Sequence, residues 1–301
     1  MFARKINSCD GIYADSLDVR FTRACDNACA FCIERGGIAG RGRTRVEAMV
    51  AATLAAGKGT VLILGGEPFL FPDLLAEYVR GIAPAVHSIY LTTSIPPALD
   101  PANPAVAEVL ATLTGLNVSV HHYDNAVNNA ILAASAPFDR LSRLGELLAD
   151  RSLAPRIRVC ANLVAGFLDS RAEIERHLAV MAALGTREIK LNELQQVGAE
   201  TFVSFEEVYG RRLPSPYAHG CQTDISELFD YPEMKILLKR ACFLVSPREQ
   251  ASAADLAKVI AARIRPTHNT QLVLYEDGSL SEGWLSGSAE PGPAAGYNRF
   301  A

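Results

Sequence analysis

A repeated alternation of short apolar strands with longer helical patterns constrains this 301-residue chain more than any other feature. Strand patterns lie at residues 16–22 (SLDVRFT), 60–64, 88–93, 116–120, 156–164 and 188–194. Helical patterns lie near 45–57, 72–82, 103–113, 138–149 and 171–185. Six strand–helix steps are therefore expected. Helices between successive strands favour parallel pairing, because each crossover needs room and covers the sheet. The loops after the strand C-termini then gather at one rim, where such architectures build their sites.

That rim collects the chemically informative words of the sequence. CDNACAFC (25–32) follows the first strand pattern, GGEP (65–68) the second, TTS (92–94) the third, HHYD (121–124) the fourth, NLVAG (162–166) the fifth and NELQQ (192–196) the sixth. Composition supports a large core, with 49% hydrophobic residues. The formal net charge is -4, and no basic block resembles a nucleic-acid footprint. The N-terminus lacks a signal-peptide pattern and no stretch suits a membrane span, so a cytoplasmic protein is expected. Seven unevenly spaced cysteines do not suggest a secreted disulfide framework.

Cys25, Cys29 and Cys32 can converge from a curved loop. Thiolates are soft ligands that suit either zinc or an iron–sulfur cluster. Zinc requires a fourth ligand from Cys9, His87, His121, His122 or another distant residue. A cubane held by three cysteines instead leaves one iron open to a small molecule. The triplet alone does not separate the two.

The triplet after the first strand, with Phe31 before its last cysteine and Gly65, Gly66, Glu67 and Pro68 after the second strand, resembles the radical S-adenosylmethionine (radical SAM) superfamily. This resemblance implies an α/β fold: a partial (βα)6 TIM-like barrel over residues 1–200, with a C-terminal extension at 201–301 that covers or completes the barrel opening. It implies that Cys25, Cys29 and Cys32 hold one [4Fe-4S] cluster whose open iron binds S-adenosylmethionine, and that an external one-electron reductant such as flavodoxin or ferredoxin is needed. Phe31 is expected near the cluster or adenine. Gly65 and Gly66 are expected to let main chain approach the methionyl ammonium, with Glu67 accepting its hydrogen bonds and Pro68 fixing the exit of the turn. Thr92, Thr93, Ser94, Ser119, Asn162 and Val164 fall where the family contacts the methionyl, ribose and adenine groups. Each of these also suits an ordinary turn or core position.

Substrate contacts are expected from His122, Tyr123, Asp124, Asn192 and Gln195, and chemistry from His121 and Glu193. The tail contains a helical pattern near 251–263 and EDGS (276–279), read as a hairpin turn between apolar strands; it offers Tyr275 and Trp284 as further substrate contacts. With 24 residues before Cys25, neither an N-terminal cobalamin module nor a peptide-recognition domain is expected. Cys221 and Cys242 lack close partners, so the organisation is similar to the molybdenum-cofactor cyclase branch without its auxiliary cluster. The expected activity is hydrogen abstraction from a small polar metabolite, such as a nucleoside, sugar or amino-acid derivative, giving rearrangement, epimerisation, dehydrogenation or carbon–carbon bond formation. The alternatives are peptide modification, with Cys160, Cys221 or Cys242 returning a hydrogen atom, and a noncatalytic zinc-stabilised binding protein.

Overall fold

The first strand, β1 (Ser16–Thr22), runs parallel to β2 (Thr60–Gly65), and the order continues through β3 (Ser88–Thr93), β4 (Gly115–Ser119), β5 (Ile157–Leu163) and β6 (Glu188–Glu193). The computed structural model describes residues 15–32, 43–194, 202–211, 222–239 and 272–282. Between the strands lie α1 (Val46–Ala56), α2 (Pro72–Ile82), α3 (Pro104–Thr112), α4 (Asn125–Leu132), α5 (Arg140–Ala149) and α6 (Arg171–Ala183). This is the expected α/β partial barrel. Among the described residues no helix is long and apolar enough to cross a membrane.

Local chemistry explains the helix starts. Asn103, Asp124, Asp139 and Ser170 each accept a main-chain N–H of the first turn, and Pro72 and Pro104 occupy opening positions that need no donor. The helix α4 was not expected within the loop around HHYD; Asp124 starts it and Ala133 ends it in the left-handed region.

Strand alternation sorts the side chains. Leu17, Val19 and Phe21 of β1 and Ile89 and Leu91 of β3 join the core shared with Tyr78, Val106, Leu144 and Leu178 of the helices. The opposite, inner face carries Asp18, Arg20, Thr92, Asn117, Cys160 and Asn192, and is largely polar.

The tail contributes strands at both edges of a ten-stranded sheet ordered β10-β9-β1-β2-β3-β4-β5-β6-β8-β7. A short helix, α7 (Phe205–Tyr209), precedes β7 (Gln222–Asp224) and β8 (Lys235–Lys239), and β8 pairs parallel to β6. At the other edge β9 (Leu272–Leu274) runs parallel to β1 and antiparallel to β10 (Leu280–Glu282). The expected EDGS hairpin is present, closed by Tyr275 N–H donating to the Ser279 carbonyl at 2.9 Å. The helical pattern near 251–263 lies outside the described residues.

A buried ion pair locks this hairpin to β1. Arg20 donates through Nε and Nη2 to the two carboxylate oxygens of Glu276 at 2.8 and 3.0 Å, and its guanidinium lies 4.4 Å from the Tyr275 ring centre. Both charged side chains are essentially inaccessible, at 0% and 1%. Removing Glu276 takes a bidentate carboxylate from a guanidinium that is buried away from water. Glu276→Ala is therefore expected to lower unfolding free energy by about 3–5 kcal/mol in urea titration. A loss below about 1 kcal/mol, the size of a surface pair, would mean that the hairpin is not integral to the barrel.

Candidate functional site

Three thiols share a loop that main-chain bonds hold in place. An irregularity in the β1–β2 register between Arg20 and Thr22 marks where the chain leaves β1. Ala28 N–H then donates to the Leu132 carbonyl at 2.8 Å and Ser135 N–H to the Asp26 carbonyl at 2.9 Å, tying the loop to the end of α4. Cys32 N–H donates to the Cys29 carbonyl at 3.2 Å, which curls the second half. Cys25, Cys29 and Cys32 are free thiols, and Cys25 Sγ accepts the Asn27 N–H at 3.4 Å. Desolvation by the folded loop pushes the Cys25 thiol up to about 11, and Glu67, Asp26 and Cys32 push the same way against the Asn27 N–H. Among the described residues no three His, Cys, Asp or Glu side chains converge on one ion.

The glycine turn is built against this loop. Gly66 N–H donates to the Thr22 carbonyl at 2.6 Å and Glu67 N–H to the Ala24 carbonyl at 2.8 Å. Gly65 has φ +119, a conformation that favours glycine. At Gly66 the constraint is space: a Cβ would overlap the Ala24 carbonyl oxygen and lie 2.7 Å from the Ala24 carbonyl carbon. The main chain that meets Gly66 belongs to the cysteine loop, a constraint that the sequence did not show. Pro68 is buried at the start of a short 3-10 turn, Pro68–Leu70.

Glu67 also departs from expectation. Its carboxylate is 1% exposed and accepts from Phe69 N (3.2 Å), Thr93 Oγ1 (2.8 Å), Ser94 N (2.7 Å) and Ser94 Oγ (2.7 Å). Burial pushes its pKa up and those donors pull it down. With four donors on two oxygens, Glu67 braces the end of β2 against the end of β3. Thr93 and Ser94 both take part in this brace, and Thr92 lies on the inner face.

Inner-face polar groups form a row across neighbouring strands. Asn117 Nδ2 donates to Thr92 Oγ1 at 3.5 Å, and Asn192 Nδ2 to Asn162 Oδ1 at 3.2 Å. Ser119 lies between them, in register with Cys160. Val164, just past β5, is buried, and its carbonyl accepts the Phe167 and Leu168 N–H groups. His121 Nδ1 accepts the Asn162 N–H at 3.1 Å, so the proton of the neutral ring sits on Nε2. Burial pushes this imidazole down to about 4. The Phe31 ring meets it edge-on at 5.2 Å, joining the cysteine loop to the end of β4.

Five other expected site residues make defined contacts within the protein. His122 points to the helix side, with Nδ1 accepting the Asp124 N–H at 3.0 Å and Nε2 lying 3.3 Å from Glu173 Oε2. Tyr123 stacks on His122 at 4.2 Å and lies under the Arg176 guanidinium at 4.8 Å, while Asp124 accepts the Ala126 and Val127 N–H groups as the cap of α4. Glu193 is on the face opposite Asn192, is 7% exposed and accepts the Phe205 N–H at 3.0 Å, so it does not enter the barrel as a catalytic acid. Tyr275, 1% exposed, is packed beneath Arg20 instead of lining a substrate surface. Gln195, Cys221, Cys242 and Trp284 lie outside the described residues.

Two residues not anticipated as site groups join the cysteine loop to the end of β3. Asn27 is buried inside the cysteine loop, and Nδ2 donates to Ser94 Oγ at 2.7 Å. Arg140, completely buried at the start of α5, reaches both Asn27 and Ser94. A signal for it existed: Arg140, Leu144, Leu147 and Leu148 share the buried stripe of α5, where a charge needs an explanation.

A family model described as the Radical SAM superfamily matches residues 19–181. SuiB of Streptococcus suis bound to S-adenosylmethionine aligns with a TM-score of 0.59 and 14% identity, over 89% of this chain and 60% of that one. SuiB bound to precursor peptide SuiA gives 0.58 and 12%, over 89% and 59%. A radical SAM methyltransferase from Sphaerobacter thermophilus gives 0.45 and 21%, over 62% and 59%. The chain thus spans about three-fifths of the length of these solved chains, and none of the curated proteins matches it. With the family model covering more than half of the sequence, and the α/β barrel shared with SuiB, the chain belongs to the Radical SAM superfamily, enzymes that work with a [4Fe-4S] cluster and S-adenosylmethionine.

Proposed function

We propose that Cys25, Cys29 and Cys32 are the protein ligands of the cluster, and that the inner rim of the barrel binds S-adenosylmethionine beside a small polar metabolite. The observation that carries this reading is the junction of the three-thiol loop with the glycine turn, made by the Gly66–Thr22 and Glu67–Ala24 bonds. Cys25, Cys29 and Cys32 would hold the cluster, which would supply one-electron reductive cleavage of S-adenosylmethionine and so hydrogen-atom abstraction from substrate.

The chain's own residues arrange that chemistry. Gly65 and Gly66 hold the end of β2 against the cysteine loop, and Glu67 fixes it to β3. Thr92, Asn117, Ser119, Asn162 and Asn192 offer hydroxyl and amide groups that can both donate to and accept from ribose, adenine and a polar substrate. Neutral His121 presents Nε2–H at the same rim. The strands that follow residue 200 lengthen the sheet at both edges and bound the substrate side. The free thiols fit a reducing cytoplasm, where flavodoxin or ferredoxin is the electron donor.

Peptide modification is the second reading, favoured by the shared fold with SuiB, which is solved with precursor peptide SuiA. Anaerobically purified protein, incubated with reductant, S-adenosylmethionine and either a metabolite pool or a peptide pool, should form 5'-deoxyadenosine above the uncoupled background only with the pool that holds its substrate. Mass spectrometry reads both product and partner. Stimulation by metabolites supports the first reading; stimulation by peptides alone replaces it with the second. Zinc without iron in the purified protein would overturn the cysteine assignment.

A further inference from the structure

The Arg140 guanidinium is 0% exposed and makes contacts to three separate segments. Nε donates to the Ser94 carbonyl at 2.9 Å, Nη1 to Asn129 Oδ1 of α4, and Nη2 to Asn27 Oδ1 at 3.1 Å. Nη2 also lies 3.9 Å from Asp26 Oδ2. Its main-chain N–H is held by Asn125 Oδ1 at 3.0 Å. Asn27 links back to Ser94, and Ser94 to Glu67. The cation therefore stands where the cysteine loop, the end of β3 and α4 meet.

This placement is costly unless the charge has a use. Burial pushes the guanidinium below its ordinary value, opposed by the negative charges of Asp26 and Glu67 and by the Cys29 and Cys25 thiols. The 3.9 Å approach to Asp26 is long for a charge-assisted bond, and Asp26 Oδ1 is buried without a hydrogen-bond partner. Arg140 is thus only partly neutralised by its nearest carboxylate. An apolar residue at the start of α5 would satisfy the core without this penalty.

We propose that Arg140 is a positioning residue for the cluster: through Asn27 it clamps the cysteine loop, and its fixed positive charge raises the cluster's reduction potential. The proposal rests on Cys25, Cys29 and Cys32 as cluster ligands. Reduction adds one negative charge to a thiolate-bound cluster, so a nearby buried cation stabilises the reduced form more than the oxidised form. Its two functions are separable. Asn27 transmits position, whereas the charge acts through space.

The test uses anaerobically reconstituted full-length protein, with iron and sulfide content measured first and the potential then read by electron paramagnetic resonance during redox titration. Arg140→Gln is expected to lower the reduced-to-oxidised ratio at a fixed potential by about tenfold, a shift of about 59 mV for a one-electron couple. Arg140→Lys should restore most of the ratio while still loosening the loop. Asn27→Ala should keep the potential but speed iron loss to a chelator severalfold. A fully loaded Arg140→Gln protein with the wild-type potential would overturn the charge role. Wild-type chelator kinetics in Asn27→Ala would overturn the clamp. If Arg140→Gln does not fold, Arg140→Lys and Asn27→Ala decide the question: a shifted potential in Arg140→Lys together with unchanged iron loss in Asn27→Ala refutes the proposal. Iron-free wild-type protein would instead defeat the ligand assignment on which it rests.

Discussion

Replacing Cys25, Cys29 or Cys32 singly by Ala is expected to abolish stoichiometric cluster assembly and to remove reductive 5'-deoxyadenosine formation. Each thiol is the proposed ligand of a different iron, so two remaining cysteines leave a second iron without a protein ligand. No nearby thiol takes over among the described residues, because Cys160 is buried on the inner face of β5. The fold should survive these changes. The loop is held by main-chain bonds at Ala28 and Ser135, while the described contacts of the Cys25 and Cys29 sulfurs are sulfur contacts of 3.4 and 3.5 Å. Iron and sulfide analysis, with product detection by mass spectrometry, should therefore report loss of cofactor at nearly unchanged thermal stability. A full cubane with normal cleavage of S-adenosylmethionine in all three variants would defeat the ligand assignment.

The barrel was legible because its signals are local and repeated. Ser16–Thr22, Pro72–Ile82 and Ser88–Thr93 carry their periodicity within the segment itself, and their observed bounds match the sequence reading. The cysteine loop and GGEP turn were legible as words but not as a joint. What makes Gly66 a glycine is the Ala24 carbonyl, which lies far from it in sequence and meets it only after β1 and β2 pair.

Side-chain roles were hardest to read where one residue type suits two purposes. An acid after a glycine turn can face a cofactor, yet Glu67 meets Thr93 and Ser94 across the neighbouring strand. Asp124 reads as a rim carboxylate, yet the two N–H groups at the start of α4 are its partners. Strand alternation sends Asn192 and Glu193 to opposite faces, and only the assembled sheet shows that Asn192 takes the inner one beside Asn162. Arg140 depends on tertiary assembly in the fullest degree: its partners come from the cysteine loop, the residue after β3, and α4.

Gly66→Ala and Gly66→Val provide the second large expected effect, and their comparison identifies what Gly66 meets. If the glycine existed only to admit a cofactor, Ala would be tolerated better than Val, and cluster content would remain while S-adenosylmethionine binding weakened. The structure implies another order of events. The collision begins at Cβ itself, with the Ala24 carbonyl oxygen, and includes the Arg23 carbonyl carbon at 2.8 Å. Ala24 immediately precedes Cys25, and its carbonyl also receives the Glu67 N–H. Relief requires either the cysteine loop or the β2 turn to move, because neither obstacle is a flexible side-chain end. Both variants should therefore lose cluster content together with cofactor binding, and Gly66→Ala should retain little advantage over Gly66→Val. Overpacking in a close-packed interior costs about 1–3 kcal/mol, and a backbone obstacle places this site at the upper end. Iron and sulfide content should be compared with calorimetric binding of S-adenosylmethionine, after circular dichroism has established that each variant is folded. Full cluster loading in Gly66→Ala would show that the Ala24 contact yields without displacing Cys25, and the glycine would then return to a role at the cofactor surface.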